Sequence, residues 1–444
     1  MTSTTNYNYF FSLLIKYCRN ILIIFNNQLI KKMTNLKKLK SCRICNSKNL
    51  HKYLNLGLHP YSNSFLSFQD IKKEKKYPLE IIRCLNCSLS QLSIIPDVKN
   101  IFGDYHYLSS SSVALSSHYK KLVIDCIKKF KLKKGDTVLD IGCNDGVLIN
   151  HYNANKYNIL GIEPSNAINK IKNKKIKKIQ KFFNFKTSNY LNKKFNKPKI
   201  ITVTNVLAQI ENLNDFASAI KNISSTSTIT IIEFPYLFYM LEQSLFDLIY
   251  HEHLSYFNLS SLQVLFNKHG LRIVNFEKVN LGASGPALRV FVALKYSNTY
   301  IHQSKIDRAL FLEKKKNNDI NTFTCFEKNV KKRITQLKKL ILSLYKSGFK
   351  IGCYTAPAKG NTLLNCLNLK KNVISCASEN NLKKIGKYTP GTHIKIISDK
   401  QYEKKNIDYS LLLSWNYKNF FLKKPKFKKI CGKFIIPFPS IEIR

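Results

Sequence analysis

Acidic residues, arginine and long apolar runs are all scarce in this chain of 444 residues. Only 26 Asp and Glu oppose 73 Lys and Arg, which gives a formal net charge of +47, and only eight of the basic residues are arginine. Nucleic-acid-binding proteins rely on arginine, because its planar guanidinium binds phosphate and guanine bidentately. The lysines also accompany many Asn, Ile, Tyr and Phe, which have A/T-rich codons. The composition therefore favours codon bias over nucleic-acid binding as the origin of the charge, although the charge alone would suit a polyanion partner.

Collagen-like, fully disordered and small disulfide-scaffold classes are excluded by composition. The chain is 44% hydrophobic and 12% aromatic, so it can bury sizeable cores, and its length predicts two to four domains. Its 12 cysteines are scattered except for two close pairs. That pattern favours a reducing compartment, here the cytoplasm, and one metal site over a secreted disulfide framework.

The first 33 residues contain two short apolar stretches, 9–15 and 21–25, with Lys16 and Arg19 between them. Neither approaches the roughly 20 apolar residues that a membrane span needs, so we expect no stable membrane insertion. The segment is either a targeting peptide or an upstream extension, with Met33 as the true start. We favour the extension, and N-terminal sequencing of the native protein would test it.

Two cysteine pairs predict a metal site in residues 34–97. Cys42 and Cys45 are separated by two residues, and 38 residues later Cys84 and Cys87 repeat the spacing. Two such knuckles supply four thiolates, the ligand set typical of structural zinc, with no position left for water. Reduced thiols or an iron–sulfur cluster are the alternatives. His59, between the pairs, is predicted to be a surface residue rather than a ligand.

A glycine turn follows an apolar strand in residues 98–314. Asp140, Gly142 and Gly146 lie in and after the strand, and a helix over Val147–Tyr152 is predicted next, so that a ligand would lie at a helix N-terminus. A second strand ends at Glu163, 23 residues after Asp140, where a carboxylate can accept both ribose hydroxyls. This combination resembles the class I S-adenosylmethionine-dependent methyltransferases.

The rest of this segment continues the α/β pattern. Further strands are predicted at 199–207, where Asn205 is another cofactor-contact candidate, and at 228–233. A capped helix starts at Ser260 and stops at Gly270, and two strands follow, at 271–279 and 288–294. Class I methyltransferase sheets are similar in ending on an antiparallel hairpin.

The densest group of titratable residues is Tyr250-His251-Glu252-His253. A zinc-protease motif is excluded, because the second histidine it requires would stand at Ser255. A metal site and a purely structural loop are alternatives. General acid/base chemistry is favoured, since an imidazole beside a carboxylate titrates near neutrality.

Residues 315–444 predict a smaller α/β domain behind a lysine-rich helical connector, Lys315–Leu344. A strand over 350–354 leads into a helix near whose start Lys359 is a candidate diphosphate contact. An ordinary surface lysine is the alternative. Short strands are predicted at 373–376, 393–397 and 409–413.

Taken together, these motifs resemble the nucleotide-sugar C-methyltransferases of deoxysugar biosynthesis, over about residues 40 to 440. The resemblance is carried by both cysteine pairs, the 140–146 turn, the run at 250–257, and the segments 354–365 and 388–393. It implies a class I methyltransferase Rossmann-like core, a small N-terminal zinc-binding domain and a second, smaller C-terminal α/β domain. The expected boundaries are 1–33 for the extension, then 34–97, 98–314 and 315–444.

The resemblance also implies the chemistry. S-adenosylmethionine would donate a methyl group to a carbon of a nucleoside-diphosphate keto-sugar, with His253 as the base and Tyr250 and Glu252 positioning the sugar. Tyr105 or Tyr107 is similar to a family tyrosine that closes over the site.

Lys359 and Arg289 are the expected diphosphate contacts. Gln209 is a departure, because family members often carry histidine there and glutamine cannot take up a proton. It keeps open an O- or N-methyltransferase acting on another small molecule. A basic RNA-binding protein with a vestigial methyltransferase core is the third interpretation, although low arginine usage argues against specific nucleic-acid binding.

Overall fold

The computed structural model describes residues 37–97, 108–280, 282, 285–370, 372–423, 427 and 430–444. The chain divides into two compact units, Met1–Lys38 and Leu39–Arg444. Of the first unit only a short strand, β1 (Lys37–Lys38), is described. All features below belong to the second unit, and the predictions for residues 1–33 lie outside the described residues.

A small antiparallel sheet opens the second unit. Its strands are β2 (Leu50–His59), β3 (Tyr77–Cys84) and β4 (Ser90–Leu92), and β5 (Ile94–Ile95) follows. The sheet has the order β11-β4-β3-β2, so its outer strand β11 (Ser255–Tyr256) comes from far along the chain. That strand directly follows the titratable cluster at 250–253, which is thereby attached to the cysteine-bearing sheet.

A seven-stranded sheet forms the centre of the unit, in the order β12-β13-β10-β9-β6-β7-β8. Its parallel strands are β6 (Thr137–Ile141), β7 (Asn158–Ile162), β8 (Lys177–Ile179), β9 (Ile200–Thr204) and β10 (Ile229–Pro235). The hairpin of β12 (Leu271–Val279) and β13 (Ala287–Leu294) is antiparallel, as predicted. The strand order reverses between β6 and β9, and ligands of such sheets bind at the carboxyl ends there.

The central strands are rich in Val, Ile and Leu because both of their faces are buried. This is typical of parallel strands that lie between two layers of helices. Helices in this part of the chain are α1 (Val113–Lys129), α2 (Phe185–Lys194), α3 (Leu213–Ile223), α4 (Leu237–Gln243) and α5 (Leu259–Lys268). The capped helix predicted from Ser260 is α5, whose Asn258 side chain accepts from the Ser261 amide at 2.8 Å.

Two helices lead to the last sheet, where the sequence predicted one connector. These are α6 (Gln303–Asn318) and α7 (Ile320–Lys346), and Asp319 caps the second by accepting from the Asn321 amide. The later helices are α8 (Ala358–Leu367), α9 (Asp399–Glu403) and α10 (Lys418–Leu422).

The last sheet has six strands in the order β16-β15-β14-β17-β18-β19. They are β14 (Ile351–Tyr354), β15 (Ala377–Ser378), β16 (Ile396–Ile397), β17 (Tyr409–Leu412), β18 (Lys433–Ile436) and β19 (Glu442–Ile443). The strand predicted at 373–376 is wrong by a few residues. All pairs except β18–β19 are parallel, so this sheet has its own carboxyl edge.

The predicted fold class is confirmed: an α/β chain with a methyltransferase-type seven-stranded core and a second α/β sheet towards its C-terminus. A second local prediction is also wrong. Where a helix was predicted over Val147–Tyr152, the chain forms only a 3-10 turn at Ile149–His151. The glycine turn therefore does not lead directly into an α-helix, and backbone shape rather than a helix N-terminus must form the ligand cradle.

Candidate functional site

The four predicted cysteines form a single cluster. All four sulfur atoms lie within 4.8 Å of one another, with 3.4 Å between Cys42 and Cys87 Sγ and 3.5 Å between Cys45 and Cys84 Sγ. Tetrahedral zinc at about 2.3 Å from each sulfur would separate neighbouring sulfurs by about 3.8 Å. The donor set and its spacing fit Zn²⁺, and the predicted structural metal site is confirmed as a four-cysteine zinc-binding cluster.

Both knuckles have the same backbone geometry. The Asn46 amide donates to the Cys42 carbonyl at 3.0 Å, and the Ser88 amide donates to the Cys84 carbonyl at 3.0 Å. Asn46 and Ser88 adopt φ angles of 59° and 64°. This tight turn brings the two sulfurs of each pair to the same side, which the CxxC spacing alone implies.

The expectation that His59 lies on the surface is wrong. Its side chain is 3% exposed, and Nε2 lies 2.9 Å from the Leu56 carbonyl oxygen. Burial lowers the pKa of the imidazole to about 4. His59 is a neutral core histidine that the metal cluster does not need.

A cavity of about 1010 Å³ runs between the carboxyl edges of the two large sheets. It is lined on one side by residues that follow β6, β7 and β9, and on the other by residues that follow β14, β15, β16 and β17. Of the predicted site residues, it brings together Gly142, Glu163, Asn205, Gln209, Tyr250, His253 and Lys359. This cavity is the candidate active site.

The glycine turn shapes the part of the cavity where the sequence predicted the cofactor. Gly142 and Gly146 have φ angles of 73° and 81°, which side chains rarely adopt. A Cβ at Gly142 would overlap the Val206 side chain, and one at Gly146 would lie 2.8 Å from Ile171 Cγ1. Gly142 lines the cavity, so backbone there can approach a ligand closely, as an S-adenosylmethionine cradle requires.

Gly142→Ala is expected to weaken S-adenosylmethionine binding by roughly tenfold or more, since strain at such a φ costs on the order of 1–3 kcal/mol and the new methyl group meets Val206. Isothermal titration calorimetry measures the change. Gly135→Ala is the matched control, because Gly135 has a φ of 89° but nothing within 4 Å of an added Cβ. Equal affinities for the wild type and Gly142→Ala would contradict the cradle.

The Glu163 carboxylate, just after β7, is fixed in place by two backbone amides. Its Oε2 accepts from the Asn144 amide at 3.1 Å and its Oε1 from the Ser165 amide at 2.9 Å. The carboxylate lines the cavity, in the position where it can accept ribose hydroxyls. Asn205, with a φ of 58°, lines the same end.

Asp140 lies behind the turn rather than on the cavity wall. It is 2% exposed and its Oδ1 accepts from the Thr202 hydroxyl at 2.6 Å. Burial raises the pKa of this carboxyl group to about 7, although the bond from Thr202 opposes the shift. The geometry gives Asp140 the role of joining β6 to β9 beneath the cradle.

Tyr250 and His253 form a hydrogen-bonded pair on the cavity wall. The Tyr250 hydroxyl lies 2.8 Å from His253 Nε2, and His253 Nδ1 lies 3.0 Å from the Leu248 carbonyl oxygen. A carbonyl can only accept, so Nδ1 carries the proton and Nε2 accepts from Tyr250. Burial lowers the pKa of His253 to about 4, which keeps the ring neutral at physiological pH.

Glu252 and His251 do not line the cavity. Glu252 Oε1 accepts from the Asn63 amide at 2.9 Å and from its side-chain amide at 3.1 Å, while Oε2 is buried without a hydrogen-bond partner. Burial raises the pKa of Glu252. His251 contacts the Pro78 carbonyl and the rings of Tyr61 and Tyr77. Both side chains therefore fasten the loop to the first sheet.

Gln209 lies in the 3-10 turn Leu207–Gln209 and lines the cavity between its two ends. An amide there can donate a hydrogen bond but cannot take a proton. Tyr105 and Tyr107 lie outside the described residues. The segment just after them is attached to the glycine turn, since the Ser109 amide donates to Asn144 Oδ1 at 3.0 Å.

Lys359 lies in the first turn of α8, at the carboxyl edge of the last sheet. Its Nζ is 2.6 Å from Asn416 Oδ1 and 4.1 Å from the centre of the Trp415 ring. Burial lowers the pKa of Lys359 to about 8, and the Asp247 carboxylate opposes the shift. Asp247 in turn accepts from the Trp415 indole at 2.6 Å. Lys359 is thus a desolvated cation beside a helix N-terminus, a combination that suits phosphate.

Arg289 lies elsewhere. On β13, its Nη2 is 2.9 Å from Glu233 Oε2 and its Nη1 is 3.4 Å from Glu277 Oε2. Burial works against the charge of Glu233, but His118 and Arg289 outweigh it and lower the pKa of that carboxyl group. Arg289 lines a separate cavity of about 370 Å³ and is absent from the described lining of the large one. The structure does not bring it to Lys359, and its position corrects the expectation that both contact one diphosphate.

Several cavity residues were not predicted from the sequence. They are Asn63 from the loop between β2 and β3, the polar group Ser378, Glu379, Asn380 and Asp399, and the aromatic group Tyr354, Phe420, Phe421 and Phe427. Asp399 accepts from the Tyr354 hydroxyl at 3.1 Å and from Asn380 Nδ2 at 3.0 Å. The only signal was that each polar residue follows a short strand, and ligands of parallel sheets bind at such ends.

Among the described residues, no helix combines the length and apolar character that crossing a membrane requires.

Three family models match consecutive parts of the chain. The zinc binding domain model covers residues 42–102, the methyltransferase domain model 115–275, and the C-methyltransferase C-terminal domain model 282–439. The curated C-methyltransferase NovU of Streptomyces niveus is 27% identical over 414 residues, which are 92% of this chain and 97% of that protein.

Solved structures are similar to the chain at low identity. The mitomycin 7-O-methyltransferase MmcR is 13% identical, with a TM-score of 0.33. The similarity covers 42% of this chain and 55% of the MmcR chain. An S-adenosylmethionine-dependent methyltransferase from Clostridium acetobutylicum is 15% identical with a TM-score of 0.33, over 40% and 92% of the two chains.

The matched domains follow one another in the order that the sequence motifs predicted, and the four-cysteine cluster and the glycine turn lie within the first and second of them. The resemblance to C-methyltransferases is confirmed, as are the enzyme class and the two cofactors, S-adenosylmethionine and zinc. The chain is an S-adenosylmethionine-dependent methyltransferase that resembles the C-methyltransferases over most of its length.

Proposed function

We propose that this enzyme methylates the carbon alpha to the ketone of a nucleoside-diphosphate keto-deoxysugar. The observation that carries the proposal is that one cavity contains the glycine cradle with Glu163, the Tyr250–His253 pair and the cation Lys359. Carbon alpha to a ketone is nucleophilic only after it loses a proton, so such an enzyme needs a base between its donor site and its acceptor site. We assign this role to His253, which lines the cavity together with the glycine turn and Lys359.

The tautomer of His253 suits this role. Its Nδ1 proton is held by the Leu248 carbonyl, so the lone pair of Nε2 faces the cavity wall beside the Tyr250 hydroxyl. A ring with a pKa of about 4 is unprotonated at neutral pH and is therefore free to accept a proton.

The reaction then has two steps, deprotonation and methyl transfer. The alpha C–H bond breaks, its proton goes to His253 Nε2, and the electron pair forms an enolate whose oxygen needs a hydrogen-bond donor. The Tyr250 hydroxyl must turn away from Nε2 before that nitrogen can take the proton, and it is then available to donate to the enolate oxygen. When bound, S-adenosylmethionine would supply the methyl group: a C–C bond to the alpha carbon would form as the S–CH3 bond breaks, with S-adenosylhomocysteine as the leaving group. The Gln209 side chain lines the same cavity and is a further hydrogen-bond donor.

The other half of the cavity matches the rest of such a substrate. Lys359 and the start of α8 favour a diphosphate. Beyond them, the carboxylates of Asp399 and Glu379 and the rings of Phe420 and Phe421 line the wall. Hydroxyls of a ribose can donate to carboxylates, and a base can stack on aromatic rings. These groups in one cavity support the proposal of a nucleoside-diphosphate sugar as the substrate.

The direct test is to incubate the holoenzyme with S-adenosylmethionine and dTDP-, UDP- and GDP-linked 4-keto-6-deoxyhexoses. Mass spectrometry should detect a mass gain of one methyl group on the sugar. In deuterium oxide without S-adenosylmethionine, the enzyme should also exchange the alpha proton. Methyl transfer to oxygen or nitrogen, or no transfer and no exchange with any of the sugars, would contradict the proposal.

Lys359→Gln is expected to raise the KM for the nucleotide sugar by roughly 10- to 100-fold, since hydrogen bonds to charged groups contribute about 1.5–3 kcal/mol. S-adenosylmethionine binding should not change. The ammonium is charged below its pKa of about 8, so the wild-type KM should rise as the pH rises through 8. Steady-state kinetics across pH measure both effects. Lys370→Gln, at an exposed lysine of the same region, is the control, and equal KM values for the two variants would rule out a diphosphate contact.

A further inference from the structure

Arg43 lies inside the first cysteine knuckle, next to the metal ligand Cys42. Its guanidinium has five N–H donors, and five acceptors surround them. Nη1 donates to the carbonyls of Ile210 at 2.9 Å and Glu211 at 3.0 Å, and Nη2 donates to the Leu254 carbonyl at 2.8 Å and to the Ser255 hydroxyl. Nε donates to Gln91 Oε1 at 3.3 Å.

Those acceptors belong to the two loops that carry the proposed catalytic side chains. Ile210 and Glu211 directly follow Gln209 and line the cavity with it. Leu254 directly follows His253, and its amide also donates to the Ala208 carbonyl at 2.7 Å. The Arg43 guanidinium therefore holds the Gln209 loop and the His253 loop against each other from behind the cavity.

Two sources of negative charge balance this arginine: the cysteine cluster that begins at Cys42, and the nearby Glu211 carboxylate. None of its five acceptors is a carboxylate. Four cysteine thiolates around one Zn²⁺ carry a net charge of −2, and Arg43 is the neighbour of one of them. Groups next to metal ligands commonly orient and balance a site in this way. The backbone of this knuckle also contacts helix α3 of the central domain, because Asn214 Nδ2 donates to the Arg43 carbonyl at 2.8 Å.

We propose that Arg43 is a positioning residue through which the zinc knuckle sets the geometry of the active-site loops. The zinc site would then act on methyl transfer as well as on stability. The role of His253 in this inference rests on the proposed function, whereas the loop positions do not.

The chain offers a matched control. Arg83 precedes the metal ligand Cys84 as Arg43 follows Cys42, but its Nη2 donates to the Asn317 carbonyl at 2.6 Å and its guanidinium lies 4.0 Å from the centre of the Phe323 ring. These partners lie on α6 and α7, and neither belongs to 205–212 or 250–257. Arg43→Lys and Arg83→Lys therefore make the same change beside the same metal site, and a lysine cannot replace the planar fork.

The experiment compares both full-length variants with zinc bound. Arg43→Lys should keep one zinc per chain, lower kcat by roughly 10- to 100-fold and leave the affinity for S-adenosylmethionine near the wild-type value. Hydrogen–deuterium exchange should increase in residues 205–212 and 250–257. Added guanidinium should restore part of the kcat of Arg43→Ala. Arg83→Lys should show none of these effects.

Three results would overturn the inference: unchanged exchange in both loops of Arg43→Lys, loss of zinc from that variant, or equal losses in both lysine variants. A failure of the proposed function is distinguishable. If the wild type methylates none of the nucleotide sugars, the chemistry assigned to His253 fails, and the exchange measurement still decides whether Arg43 holds the loops.

Discussion

His253→Ala is expected to lower kcat for methyl transfer by roughly 100- to 10,000-fold, the usual cost of losing a general base. The variant removes the one nitrogen on the wall of the described cavity that is both unprotonated at neutral pH and held in a fixed tautomer. The affinity for S-adenosylmethionine should stay near that of the wild type, because the glycine turn and Glu163 do not contact His253 in the described hydrogen bonds.

Single-turnover methylation, together with exchange of the alpha proton in deuterium oxide, separates the two steps. Both should be lost in His253→Ala, whereas His51→Ala, at an exposed histidine on β2, should retain both. Tyr250→Phe should slow methylation less, since it removes a donor but keeps the base. Wild-type turnover in His253→Ala would show that His253 is not the base.

Cys42→Ser is expected to have the second large effect, on stability. Cys42 is fully buried and its sulfur lies 3.4 Å from Cys87, so a serine leaves three thiolates around the metal. Structural zinc contributes about 10–16 kcal/mol of binding free energy in zinc-finger peptides. The variant should lose zinc and unfold at a lower temperature, because the four cysteines are packed into the same hydrophobic core as the central sheet, and loss of the metal cross-link loosens that contact.

Metal analysis by inductively coupled plasma mass spectrometry and a thermal unfolding curve check this result. Cys325→Ser is the control, since Cys325 is an exposed cysteine on α7. The wild type and the control should each hold one zinc per chain. If Cys42→Ser also retained one zinc with an unchanged unfolding temperature, the four-cysteine cluster would not be the metal site.

Local spacing was enough to predict the metal site and the cofactor end of the cavity. Each depends on residues a few positions apart, such as Cys84 and Cys87, or on one strand and the turn that follows it, as at Gly142. The acid at Glu163 could be predicted for the same reason, because parallel neighbours β6 and β7 end at one edge of the sheet.

The remainder depends on contacts that spacing does not encode. Arg289 follows no turn, and only the pairing of β13 with β10 brings it beside Glu233. Two-residue strands such as Ile396–Ile397 are too short to show the alternation of apolar and polar residues that identifies a strand. The polar residues that follow them could therefore not be predicted as cavity residues. The helix predicted over Val147–Tyr152 failed because its residues are buried from several sides, and tertiary packing overrides local preference.

The net charge of +47 is not concentrated in the active site. Among the described residues that line the large cavity, three are lysines, Lys181, Lys359 and Lys384, and five are carboxylates, Glu163, Glu211, Asp215, Glu379 and Asp399. The chain's excess of lysine therefore lies elsewhere, in agreement with codon bias. Any attraction of an anionic substrate would come from Lys359 and its helix locally and from the whole surface at long range.

The 250–257 loop can take its final position only late in translation. The loop is held by Asn63, 189 residues earlier, through Glu252, and by Thr362, whose hydroxyl donates to the Ile249 carbonyl 113 residues earlier. A ribosome must therefore translate past α8 before the loop can take its final position. The cofactor cradle is synthesised much sooner, so a nascent chain can complete its donor site well before its catalytic pair. Release of a truncated product would then give a chain that binds cofactor without turnover.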